Sequence, residues 1–360
     1  MKRSKRLLKN SMMKTSNHNM PNIPTVLVPL TSTVPQTSSQ LGFRDVLGAV
    51  RVRWGIKRDA FMVEPGLYKI GKPGNRSDVF VTANYKLSFD TLRKNLDGLD
   101  AWILVLDTKG INVWCAAGKG TFGTAELIHR IKVTALGELI AHKTIIVPQL
   151  GAVGVSAHEV KKHSGFTVLY GPVRAKDIKE FIAAGYKTDK KMRKVNFNFI
   201  DRLKLVPVEL TNAKYLMFGA IALFLILTGL YQRGISVEQI SSSGLQNALT
   251  VFVGFISGAV FGPLLLPVIP FRSFSMKGAI VGLLTALVLY FVNYLGELPL
   301  AILSWFLLLP AISSYLVMNF TGASTYTSLA GVKKEMRIAV PLQIILLVAG
   351  LVLFVISKFL

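Results

Sequence analysis

The lone cysteine of this 360-residue chain, Cys115, lies in the segment GINVWCAAGKGTFGT, residues 110–124. One thiol excludes an intrachain disulfide, a four-cysteine zinc site and an iron–sulfur cluster held by the chain's own thiolates. Three chemistries fit the segment. Cys115 precedes a Gly-rich turn and a helix start, where oriented N–H groups favour a thiolate nucleophile, and Lys119 four positions on would share its face. A nucleophile of this kind needs a base. His129, His142, His158 and His163 are available, but no spacing ties one of them to the thiol. Gly118, Gly120 and Gly123 satisfy G-x-G-x-x-G after an apolar run, a dinucleotide signal, although the acidic residue expected about 20 positions on is missing from a second strand. The third possibility is a buried structural cysteine.

The elements that must position this segment are legible between residues 41 and 210. Short apolar runs at 79–83, 101–106, 144–147 and 166–170 read as strands, with 111–115 a short strand or extended segment. Amphipathic stretches at 88–96, 124–140, 156–163 and 175–184 read as helices, the first capped by Ser88. Residues 101–106, AWILVL, are continuously apolar, as in a strand buried on both faces. The alternation predicts a Rossmann-like α/β domain, a parallel sheet between helices, which takes ligands at the carboxyl ends of its strands. Those ends are followed by Thr82-Ala83-Asn84-Tyr85, Asp107-Thr108-Lys109-Gly110, Pro148-Gln149-Leu150-Gly151 and Tyr170-Gly171-Pro172. These small, polar or Gly-containing loops can approach a flat ligand closely.

Charge and hydropathy divide the chain. Of the net charge of +23, +19 lies in residues 1–204 (34 basic, 15 acidic) and +4 in residues 205–360 (eight basic, four acidic). A mean hydropathy of +0.47 is too apolar for one soluble domain and excludes global disorder. Five apolar stretches, at 215–231, 245–269, 278–295, 298–318 and 338–356, are each long enough to cross a bilayer. Pro263 and Pro267 shorten or kink the second. Arg272, Lys277, Lys333, Lys334 and Arg337 crowd the even loops, whereas Arg233 and Lys358 lie opposite. The expected placement is therefore a multi-pass protein of the cytoplasmic membrane, soluble domain inside and carboxyl terminus outside. No ionisable residue falls near a span centre, and Glu297 sits in an interfacial turn, so the spans read as an anchor that also packs against partners. Residues 1–40 carry Lys2, Arg3, Lys5, Arg6, Lys9 and Lys14 with no acid and no signal-peptide core. They read as a disordered basic arm against anionic lipid, not nucleic acid, since no interleaved aromatics accompany the charge. The division expected is an arm at 1–40, the α/β domain at 41–210 and five transmembrane helices at 211–360.

Asn112-Val113-Trp114-Cys115-Ala116-Ala117-Gly118-Lys119 resembles the signature of the mercury-methylation corrinoid proteins, the HgcA family. The resemblance extends through Val81-Thr82-Ala83-Asn84-Tyr85-Lys86, Leu106-Asp107-Thr108-Lys109-Gly110-Ile111 and Tyr170-Gly171-Pro172-Val173-Arg174, and to the pairing of a corrinoid domain with a five-helix anchor. It implies a cobalamin, a cobalt corrinoid, held by the α/β domain, with Cys115 as lower axial ligand to cobalt and a cap helix from Asn112 onward. Thr82, Ala83, Asn84, Tyr85, Asp107, Thr108, Gly110, Gln149, Gly151, Tyr170 and Gly171 are its implied corrinoid-contacting positions. The sequence has no Asp-x-His-x-x-Gly, the motif that supplies histidine to cobalt in other cobalamin proteins. The implied activity is transfer of a methyl group, as a carbanion equivalent, from Cys-ligated methylcobalamin to Hg(II). A thiolate trans to the methyl is a soft, strongly donating ligand suited to that polarity. The implied partners are a small ferredoxin-like 4Fe–4S electron donor of the HgcB type and a methyl donor of the methyl-tetrahydrofolate type. A corrinoid methyl carrier of one-carbon metabolism, and a non-catalytic anchored binding protein, remain open beside this.

Overall fold

The computed structural model describes residues 34–231, 234–320 and 329–360. Most of the basic arm and Arg233 lie outside the described residues.

The α/β domain is built on a five-stranded sheet, β1 (Gly66–Ile70), β2 (Val79–Ala83), β3 (Ala101–Leu106), β4 (Thr144–Pro148) and β5 (Thr167–Gly171), in the order β1-β3-β2-β4-β5. The four expected strands are there and run parallel. The sheet is nonetheless mixed, because β1 pairs antiparallel with β3, Gly66 opposite Val105. β1 (GLYKI) lacks the long apolar run of an inner strand, since an edge strand needs burial on fewer sides. Along β3 the side chains alternate between two cores. Ile103 and Val105 join Phe89, Leu96 and Phe181 on one face, while Leu104 and Leu106 join Phe122, Leu127 and Phe166 on the other.

The helices are α1 (Phe43–Arg53), α2 (Lys86–Asn95), α3 (Val113–Lys119), α4 (Thr124–Val133), α5 (Leu136–Leu139), α6 (Ala157–Ser164) and α7 (Ile178–Ala183). Three differ from expectation. α2 begins two residues before Ser88, with Tyr85 at its N-cap. The expected helix over 124–140 is broken after Val133, where Ala135 takes a left-handed φ of 46°. Residues 113–115, expected as strand or extended chain, open α3, because Asn112 caps it and Ala116 and Ala117 are strong helix formers.

Five helices are long and apolar enough to span a membrane: Phe199–Gly229, Val237–Leu265, Phe274–Phe291, Pro299–Asn319 and Ala330–Ile356. The first starts well before residue 215, so its leading turns rise out of the apolar zone toward the α/β domain. The fourth span is the hub. Glycines let its neighbours approach: a Cβ on Gly258 of the second span would lie 2.8 Å from Ser313 Cα, and one on Gly282 of the third would lie 2.6 Å from Pro310 Cα. Small residues at such crossings give the backbone contact that drives helix association where lipid removes the hydrophobic drive. Glu297 is exposed in the turn before the fourth span, as a solvated interfacial residue should be.

Candidate functional site

The loop between β3 and α3 is pinned from below by one buried side chain. Asn84, 1% exposed at the end of β2, accepts hydrogen bonds at Oδ1 from the backbone N–H of Thr108 (3.1 Å), the Thr108 hydroxyl (2.8 Å) and the N–H of Gly110 (3.0 Å). Lys109 and Gly110 both take positive φ there, 57° and 70°, which turns the chain back over the strand ends. Asp107 pairs with Lys109, and the hydrogen bond from that ammonium outweighs burial to hold the Asp107 carboxyl below the usual range. The Asp107 N–H donates to Glu126, itself bonded to Arg130. Asn112 then closes the first turn of α3, its Oδ1 accepting from the N–H of Cys115 at 3.0 Å. From below, α3 rests on the 151–154 turn, where a Cβ on Gly154 would lie 3.1 Å from Ala117 Cα.

Cys115 is thereby fixed at the start of a helix with its thiol exposed and free. It opens onto a cavity of about 890 Å³ between the α/β domain and the membrane helices. Arg53, Arg58, Tyr85 and Trp114 line the near side; Glu209 and Asn212 of the first span and Tyr315 and Asn319 of the fourth line the far side. Burial pushes the Tyr85 hydroxyl above the ordinary tyrosine range, against the opposing pull of Arg58 and Arg53. A second cavity of about 400 Å³ lies at the carboxyl ends of β2, β4 and β5, reached by Thr82, Pro148 and Gly171. Leu87, Asn112 and Trp114 line both, so the two spaces meet at the head of α3.

The predicted residues thus divide by role. Thr82, Tyr85, Asn112, Val113, Trp114, Cys115 and Gly171 line a cavity. Asn84, Asp107, Thr108 and Gly110 hold the loop behind it. Ala83, Ala116 and Ala117 are buried packing. Gly118 and Lys119 are exposed at the end of α3. Gln149 and Gly151 form the turn beneath α3, where a Cβ on Gly151 would lie 2.5 Å from the Phe122 ring, and the Tyr170 hydroxyl donates to Val155 O at 2.6 Å. Sequence reasoning missed Arg53, Arg58, Glu209, Asn212, Tyr315 and Asn319. Only Glu209 and Asn212, polar residues in the approach to an apolar span, gave any signal.

Two of the early alternatives fall on geometry. No histidine lines either cavity; His142 bonds to Ser77 O and accepts from Thr144 N, and His163 pairs with Glu159. The first glycine of G-x-G-x-x-G, Gly118, lies inside α3 and Gly120 ends it with φ 83°, whereas a dinucleotide fingerprint needs them between strand and helix. Nor is Cys115 a buried packing residue. Among the described residues no cluster of three or more His, Cys, Asp or Glu could cage a metal.

Residues 45–182 match the family described as the CO dehydrogenase/acetyl-CoA synthase delta subunit. The α/β domain carries the match. Over 142 residues the chain is 31% identical to the acetyl-CoA decarbonylase/synthase complex subunit gamma of Archaeoglobus fulgidus, covering 38% of this chain and 30% of that protein. The corresponding subunit of Methanopyrus kandleri is 30% identical over 127 residues, 35% of this chain and 27% of its own. The corrinoid/iron-sulfur protein large subunit of Moorella thermoacetica is 29% identical over 124 residues, 34% of this chain and 27% of its own. The chain therefore spans under a third of the length of these relatives.

Proposed function

We propose that the chain is a membrane-anchored, corrinoid-dependent methyltransferase whose acceptor is Hg(II), giving methylmercury. The observation that carries this is Cys115. It is a capped, exposed thiol at the large cavity between the α/β domain and the membrane helices, which no histidine lines. A thiol without protein co-ligands can serve a metal only as one ligand of a centre whose other donors arrive with it, as the nitrogens of a corrin do. The two cavities joined at Trp114 suit a planar ring with a tail, and the relatives include a protein named for its corrinoid. A corrinoid bound here supplies a cobalt-borne methyl group. Cys115 would give its sulfur to the cobalt, with Asn112 fixing the helix turn that carries it and Asn84 fixing the loop before it. Trp114 lines both cavities and would lie against the bound ring.

Hg(II) is an electrophile and would need the methyl with both bonding electrons; the Cys115 thiolate, a soft and strongly donating ligand, would favour that direction. Electrons must then be returned before the next methyl is accepted, and one cysteine cannot house the clusters for this. A ferredoxin-like 4Fe–4S donor of the HgcB type is the partner proposed, drawn to a basic domain. A methyl-tetrahydrofolate-type donor supplies the methyl. The basic even loops favour a cytoplasmic α/β domain in the inner membrane and an outer carboxyl terminus, with domains at 41–210 and 211–360. The relatives favour a second reading, a methyl carrier of one-carbon metabolism, because they are subunits named for acetyl-CoA decarbonylase/synthase. Reconstituted protein supplied with methyl donor, low-potential reductant and Hg(II) separates the two. Methylmercury that disappears in Cys115→Ala supports the first reading; methyl loading without transfer to mercury supports the second.

A further inference from the structure

Helix α1 presents its apolar side away from the protein. Phe43, Val46, Leu47, Val50 and Trp54 recur at helical spacing and form one stripe about 100° wide. All five are exposed, Phe43 at 80%, Val50 at 47% and Trp54 at 46%. Arg44 and Arg51 flank the stripe on one side, while Arg53 on the other border turns back to Ala49 O and the large cavity. The opposite face is clamped to the domain. Asp45 is paired with Lys86 and Arg93, both at 2.7 Å, and Val52 is 1% exposed. The orientation is therefore fixed, and the apolar stripe faces outward by construction.

The first span sets the level of this helix. The Thr211 hydroxyl lies 3.1 Å from the carbonyl oxygen of Trp54, and a Cβ on Gly55 would lie 3.1 Å from Thr211 Cγ2. Thr211 precedes Lys214, and Tyr215, 79% exposed, opens the apolar stretch of that span. Three residues of helix rise about 4.5 Å. The carboxyl end of α1 thus lies within about one helical turn of the start of that apolar stretch.

We infer that α1 is an interfacial membrane helix whose outward stripe is covered by the anionic inner leaflet. Aromatic and aliphatic side chains on one face with Arg44 and Arg51 at its border suit the headgroup boundary, these arginines meeting lipid phosphate while the stripe enters the acyl region. The consequence reaches the site. Val52 and Arg53 line the large cavity from the inner face of the same helix, so lipid on the outer face holds one wall in place. The inference stands on the fold and does not depend on the identity of the cofactor.

The test uses the full chain in bilayer nanodiscs containing anionic lipid. A polarity-sensitive fluorophore is placed on Val50→Cys in a Cys115→Ser background, beside Glu138→Cys at the amino-terminal end of the strands. At position 50 the emission shifts to the blue and is quenched by lipid-borne nitroxides about 5–10 Å below the headgroups, while at position 138 only aqueous iodide quenches. Without labelling, brominated lipid quenches Trp54, read as the difference between the unmodified chain and Trp54→Phe. Iodide quenching at position 50 with no effect of lipid quenchers would overturn the inference. So would shielding that appears only with added soluble protein or rising protein concentration, which would assign the stripe to a protein partner or a second copy.

Discussion

Asn84→Ala removes the acceptor on which the loop before Cys115 hangs. In the native chain Oδ1 takes the N–H of Thr108, the Thr108 hydroxyl and the N–H of Gly110, within 2.8–3.1 Å. The hydroxyl retains Ile111 O as a partner at 2.6 Å, so its loss is small. The N–H of Thr108 does not recover: Thr108 is 0% exposed, and an orphaned buried donor costs about 1–3 kcal/mol. Gly110 is half-buried and reaches water more readily, which adds up to about 1 kcal/mol. The sum is a destabilisation of roughly 1–4 kcal/mol. In detergent, with the membrane helices intact, urea unfolding of the α/β domain should then shift down by about 0.5–2 M for a slope near 2 kcal/mol per molar. Asn84→Asp keeps an acceptor but sets a second carboxylate near Asp107, 3.5 Å from the Asn84 amide, so its loss should shrink at low pH. A midpoint for Asn84→Ala within about 0.3 M of the native one would refute the claim that this side chain holds the loop.

Other consequences are more local. Burial raises the Asp45 carboxyl, but hydrogen bonds from Lys86 and Arg93 bring it down to about 2 from 3.8. A depressed folded value stabilises above the unfolded value and is lost as pH falls through the folded one, so native stability declines between about pH 4 and 2. Asp45→Asn should flatten that decline, and an unchanged acid limb would contradict the pairing. Gly282→Ala drives a methyl against the Leu309–Pro310 backbone and should cost about 1–3 kcal/mol, read as a lower melting temperature in detergent. Cys115→His should impair methyl transfer more than cobalamin binding; equal loss of both would contradict the assigned roles.

The fold was legible where burial is severe. β2 and β3 end where their apolar runs end, at Ala83 and Leu106. β1 was illegible because an edge strand needs no continuous apolar run. α1 hid because its apolar stripe is not core-facing, and the start of α2 shifted because Tyr85, not Ser88, turns the chain. At the site, the strand-end rule found Thr82, Tyr85 and Gly171, and the eight-residue motif found Cys115. The rule also gathered Gln149 and Tyr170, which brace the turn under α3 and line neither of the two cavities described. Arg53, Arg58 and the membrane residues Tyr315 and Asn319 were beyond reach. Their meeting with Cys115 depends on how two domains pack, and no local pattern encodes that.

Cobalt content and the visible spectrum of the purified chain, reconstituted with cobalamin under reducing conditions beside Cys115→Ala, test the central claim most directly. Stoichiometric cobalt with a spectrum that changes when the thiol is removed is the predicted result. A chain that takes up no corrinoid, or one whose spectrum is the same with and without Cys115, would contradict it.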